Sequence, residues 1–186
     1  MTLGDMKQEV LTLIEEYNPE IAKNFTDDDD LGNKMNGSIN RAMFELCRLK
    51  KIPKYVKMNV SAGSVVSFAE IAKKCGYEIY QVKLITGVRY EERADGTIFK
   101  ILEDGEAEID VFVYPDAITQ KTNNNYEFEL TQDVLEVMPY AVASDILSTD
   151  VSSNYKEFKQ RYETMLSRLD TRNKIPAISV VGGYNI

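Results

Sequence analysis

Histidine is absent from the 186-residue sequence. That absence removes Ser-His-Asp and Cys-His catalysis, histidine zinc sites and the usual general base of neutral pH. Cysteine is scarce. Cys47 and Cys75 lie in segments of different character and form no Cys-x-x-Cys pair, so no zinc or dithiol redox motif is present. They read as two buried free thiols of a reducing compartment. Basic charge is short as well: 22 Lys+Arg against 30 Asp+Glu give a net charge of -8. A broad footprint for phosphate backbones is not expected from such a balance. No stretch approaches the length of about 18 apolar residues needed to span a membrane. Met1 to Asp5 carries no basic region followed by an apolar run, so no secretory signal is expected. Glycine-rich phosphate loops are missing too, since Gly182-Gly183 opens no helix. These absences predict a soluble protein made in a cytoplasm.

What is present is ordinary globular material, 44% hydrophobic and 28% charged. A chain of this length buries roughly 70% of its unfolded surface, enough for one domain or one domain with an insert. Leu3, Met6, Val10, Leu13 and Tyr17 recur at helical spacing, with Thr2 and Asp5 as an imperfect capping box and Asn18-Pro19 as the stop. A second helix is expected from about residue 29 to 51, with Leu31, Met35, Ile39, Ala42, Leu46 and Leu49 as its stripe. Asp27 to Asp30 lie at its positive end and Arg48, Lys50 and Lys51 at its negative end, complementing the macrodipole.

The period then changes. Residues 54–60 alternate, residues 77–91 are β-rich, and Asp95-Gly96 and Asp104-Gly105 supply turns leading into 97–102 and 106–114. This predicts a β meander. Phe68 to Cys75 fits either a strand or a short helix. Residues 126–130 read as a last short strand, and Thr131 as the cap of a helix over 132–147 with Val134, Leu135, Met138, Val142 and Ile146 in its face. Pro139 is expected to kink or split that helix. A final helix opens near Val151 and Ser152 and carries Tyr155, Phe158, Tyr162, Met165 and Leu169.

Three constellations bear on chemistry. Asp27 to Asp30 lacks the alternating spacing of a calcium loop and reads as a helix-start charge cluster. Glu103, Asp104, Glu106, Glu108 and Asp110 could supply a carboxylate pair, but alternation of the last three marks the solvated face of a half-buried strand. Tyr77, Tyr80 and Tyr90 could line a ligand or carbohydrate face, with cross-strand packing as the plainer reading. No catalytic, metal-binding or cofactor-binding set is expected. Beyond the last helix, Ile175, Ile178, Val180, Val181, Tyr184 and Ile186 are apolar, and residues 174–186 contain no acid. They read either as a strand folded back on the chain's own sheet or as an arm that reaches a partner.

Several stretches, taken in order, resemble the head–tail connector (adaptor) proteins of tailed bacteriophages. They are DLGNKMNGSINRAMFELCRLKKIP at 30–53, the β block ending VFVYP at 111–115, and VMPYAVASDIL at 137–147. The last continues through STDVSSNY at 148–155 into the closing helix. The resemblance implies a non-enzymatic structural virion protein, made in the host bacterium and lodged in the neck. Such subunits form a ring below the portal, extend the DNA channel and dock the tail. The implied partners are the portal protein, identical subunits, a tail-side neck or tail-terminator protein, and double-stranded DNA passing without specific binding. An acidic channel that repels phosphate fits the last of these. The arm residues 175, 178, 180, 181, 184 and 186 are then the implied protein interface. Other readings are a different neck or tail-completion protein, or a ligand- or carbohydrate-binding β module on a helical bundle.

The expected fold is α+β. A four-helix bundle is split between residues 1–53 and 131–172, a mainly antiparallel β insert occupies 54–130, and an extended arm covers 173–186.

Overall fold

The computed structural model describes residues 1–17, 29–148 and 155–173. In chain order the elements are α1 (Leu3–Tyr17), α2 (Asp29–Leu49), β1 (Ile52–Val60), β2 (Val65–Ser67), α3 (Phe68–Cys75), β3 (Ile79–Thr86), β4 (Tyr90–Arg93), β5 (Ile98–Ile101), β6 (Gly105–Val113), α4 (Gln132–Leu147) and α5 (Tyr155–Asn173). The expected arm at 174–186 and the opening of the last helix at Val151 and Ser152 lie outside the described residues.

The chain is α+β, but it is not a four-helix bundle. The described residues form five helices, and their layout is a hub. Helix α4 is packed by α1, α2 and α5, while the fifth helix, α3, sits with the strands. The reason is in the sides of α4 that the expected single stripe left out. Val137, Ala143 and Leu147 are buried along with Val134, Leu135, Met138 and Val142, so the helix is apolar nearly all round. Such a helix belongs inside, surrounded by others, rather than in one corner of a bundle. Pro139 lies within it and is buried, yet the helix runs unbroken from Gln132 to Leu147. Packing on several sides carries it past the missing N–H. Thr131 is the N-cap residue, but its hydroxyl donates to the Asp133 carboxylate rather than capping a backbone N–H.

The other helices follow their patterns. The Thr2 hydroxyl accepts the Asp5 N–H at 3.1 Å and the Asp5 carboxylate accepts the Thr2 N–H at 2.9 Å, closing the capping box of α1. Leu3, Met6, Val10 and Ile14 form its buried face. On α2, the Asn40 side-chain amide donates to the Ile118 carbonyl and accepts the Ile118 N–H, both at 2.8 Å, pinning the segment after β6 to the helix. The ambiguous segment 68–75 is helical. Ser67 and Glu70 make a full capping box, and Gly76, at φ 80°, ends the helix in the left-handed conformation.

The β block is two three-stranded antiparallel sheets, ordered β1-β6-β3 and β2-β5-β4, instead of one meander. The turn at Asp95-Gly96 does join a hairpin, β4–β5, with Ala94 and Asp95 both at positive φ. The turn at Asp104-Gly105 does not. There the chain leaves one sheet, and β6 enters the other as its central strand. Strand β6 suits that place because Ala107, Ile109, Val111 and Val113 are all buried. Gly87, between β3 and β4, has φ +85°, and a Cβ there would sit 2.3 Å from the Glu106 carbonyl oxygen. Only glycine allows that crossing. Residues 126–130 form no strand beyond a single bridge from Thr2 to Glu127. Their neighbour is the start of α1, whose Leu3 N–H donates to the Tyr126 carbonyl at 2.8 Å, and Phe128 and Leu130 plug the core.

Candidate interaction surface

The outer face of the β1-β6-β3 sheet gathers the side chains with chemistry to offer. The register sets Lys57 opposite Glu108, Tyr55 opposite Asp110 and Pro53 opposite Phe112 on one side of β6. On the other side, Thr86, Leu84 and Gln81 meet Glu108, Asp110 and Phe112. Alternation along β6 puts Glu106, Glu108, Asp110 and Phe112 on this face, with Tyr114 following.

One half of the face is a charge lattice. Lys57 reaches Glu106 at 3.1 Å and Glu108 at 2.7 Å. Those contacts push the Lys57 ammonium above its ordinary pKa and hold Glu108 below the usual carboxylate range. Lys83 lies 4.0 Å from Asp110. These groups are all solvated, so each pair adds little stability.

The other half is aromatic and cationic. A register shift in β3 between Ile79 and Gln81 turns Tyr80 across the sheet. Its ring lies 4.9 Å from Tyr114 and 6.4 Å from Phe112, centroid to centroid, and its hydroxyl donates to the Cys47 carbonyl at 3.2 Å. Burial pushes the Tyr80 phenol up to about 12, and the buried Cys47 thiol up to about 11. A thiol so far from thiolate is inert at neutral pH. The Arg48 guanidinium stands over Tyr114 at 5.4 Å and donates to its hydroxyl, with Nε at 3.1 Å. The Lys51 ammonium stands over Phe112 at 4.6 Å and donates to Gln81 Oε1 at 2.8 Å. Between the two halves, Tyr55 is 52% and Leu84 48% exposed.

The acidic cluster does not converge. Glu103 is held by Arg89 at 2.8 Å, which lowers its pKa, and Asp104 accepts the Ala62 N–H at 2.8 Å. Glu106, Glu108 and Asp110 share a face as their alternation predicts, but lysines bind them. Arg89 and Lys57 hold Glu103 and Glu108 below the usual carboxylate range, the wrong direction for a general acid. Nor do the three tyrosines make one platform. Tyr77 donates to Glu129 at 3.1 Å, under Lys54, while Tyr90 packs its edge on Phe99. Tyr80 and Tyr90 do border one open cleft of about 340 Å³, which Tyr77 does not line. No group of three or more metal-ligating side chains occurs among the described residues. The expected arm residues and Asp27 and Asp28 lie outside the described residues.

The strip formed by Arg48, Lys51, Tyr80, Phe112 and Tyr114 was not visible as a unit in the sequence. One signal pointed to it: Phe112 and Tyr114 continue the polar side of an alternating strand, where solvent alone would favour polar residues. No protein-family model matches the chain, and no curated protein matches it significantly.

Proposed function

We propose that this chain is a structural virion subunit, a head–tail connector that forms a ring below the portal and docks the tail. It carries no catalytic role in this reading. The observation that carries it is the outer face of the first sheet. Its aromatic and cationic groups pack on one another, and two large apolar side chains of the same face stand half-exposed. Protein interfaces favour that mixture of Tyr, Phe and Arg. The net charge of -8 supports the same reading, because a DNA conduit must release its cargo. The ordered resemblance at 30–53, 111–115 and 137–155 supplies the family.

The partners are then the portal, neighbouring copies, a tail-side neck protein and duplex DNA in passage. The arm at 174–186 reaches the portal or a neighbour. Deleting residues 174–186 tests this. The melting temperature should stay nearly unchanged while docking onto the portal or a neighbour is lost. A deletion that unfolds the subunit would make the segment a core strand, and one that leaves assembly intact would make it dispensable.

A further inference from the structure

Strands β3 and β4 follow one another in the chain, yet they do not pair. Each is an edge strand of its own sheet. The open cleft of about 340 Å³ lies between them and is bordered as well by the β4–β5 turn. Its size is at the low end of small-molecule sites, about 300–1,000 Å³.

A doubly irregular β3 builds one wall. Register shifts against β6 fall between Ile79 and Gln81 and between Val82 and Leu84. A regular strand turns every second side chain away, but here all five residues from Tyr80 to Leu84 border the cleft. Aromatic rings supply the apolar part. Phe68, Tyr90 and Phe99 line the cleft, and the buried Phe99 is braced between the other two, 6.5 Å from Phe68 and 5.8 Å from Tyr90.

The polar groups decide the ligand. Gln81 gives its Oε1 to Lys51, which leaves its amide N–H groups to donate. Lys83 is held only at 4.0 Å from Asp110. The Thr97 hydroxyl donates to the Ala94 carbonyl at 2.7 Å, which leaves its oxygen to accept. Glu92 and Asp95 are exposed, and their carboxylates have no hydrogen-bond or ion-pair partner among the described residues. Arg93, beside Glu92 in sequence, pairs with Glu91 instead. Donors and acceptors therefore stand together against aromatic carbon. A phosphate would meet two carboxylates for one ammonium, and a simple organic cation would meet that ammonium. A metal ion lacks its ligands, since no group of three ligating side chains occurs among the described residues. A sugar suits the whole set. Each of its hydroxyls both donates and accepts, and its C–H face packs on a ring.

We propose that the β3–β4 cleft binds a short neutral saccharide. Glu92, Asp95 and Thr97 accept from its hydroxyls, Gln81 and Lys83 donate to them, and the Tyr90 ring packs against its C–H face. The site does not rest on the connector reading.

Nitrogen–proton correlation spectra of the full-length chain test it. The probes are the methyl glycosides of glucose, galactose, mannose and N-acetylglucosamine, with maltose and lactose. At least one should shift the amides of residues 80–84 and 90–97 together and saturably, while glucuronate and inorganic phosphate should not. Glu92→Gln with Asp95→Asn should weaken that binding by about tenfold or more and leave the melting temperature near that of the wild type. Tyr90→Phe, which keeps the ring, should still bind. No saturable shift from any of these sugars, shifts centred elsewhere, or unaltered binding by the double variant would overturn the proposal. Phosphate or arginine amide binding more tightly than every sugar would make the cleft an ion site and overturn it equally. None of these results bears on where the chain sits in a virion, so the two readings fail separately.

Discussion

Helix α4 and the outer face of the β1-β6-β3 sheet are both rich in large apolar side chains, and they differ in what covers them. Val134, Met138, Val142 and Leu147 are fully enclosed by three other helices. Tyr80, Phe112 and Tyr114 are covered only in part, by one another and by Arg48 and Lys51, while Tyr55 and Leu84 stand half in solvent. Hydrophobicity alone therefore does not mark a core. In α4 it sets stability, and on the sheet it sets what the surface can meet.

Substitution should separate the two regions sharply. Met138→Ala should cost about 2–5 kcal/mol of unfolding free energy, because the hub has little room to collapse. Leu84→Ala should change stability by no more than about 0.5 kcal/mol, since the side chain is half exposed. Urea unfolding of both variants checks this, and equal costs would erase the contrast. Next in size is Gly87→Ala. It forces a side chain at φ +85° against the Glu106 carbonyl and should lose about 1–3 kcal/mol in the same assay.

The sheet face has its own dependence on pH. Cys47 and Tyr80 keep their protons in the folded state up to about 11 and about 12, above ordinary values of 9.0 and 10.0. Their pKa values are raised on folding, so the stability they lend is complete below the ordinary values. It is lost as pH rises through the folded ones. Unfolding midpoints should fall across that alkaline window, and Cys47→Ala should flatten the early part of the fall. A modest effect is expected at the edge of the block, where Ser67→Ala removes one cap of α3 and should cost about 0.5–2 kcal/mol.

Much of the helical part was legible because a 3.6-residue period survives wherever one side of a helix is polar. Helix α1 shows this: Leu3, Met6 and Val10 were read correctly, with Ile14 taking the place expected of Leu13. The hub was not legible. A helix buried all round has a weak period, so Val137 and Ala143 looked like background. The two sheets were read as one meander because alternation gives the face of a strand but not its partner. Nothing local distinguishes Asp95-Gly96, which closes a hairpin, from Asp104-Gly105, which does not. Residues 126–130 alternate like a strand because Phe128 and Leu130 are buried, although their partner is a helix start. The cation–aromatic strip joins residues 48, 51, 80, 112 and 114, and only the folded register and the shift at Tyr80 bring them together.

The most direct measurement is a reconstruction of the neck of a tailed particle that carries this chain. The proposed function predicts a ring of identical copies below the portal, with the Tyr55–Leu84 face of each copy covered by a neighbouring protein. Finding the chain elsewhere in the particle, outside it altogether, or in the neck with that face open to solvent would contradict the account.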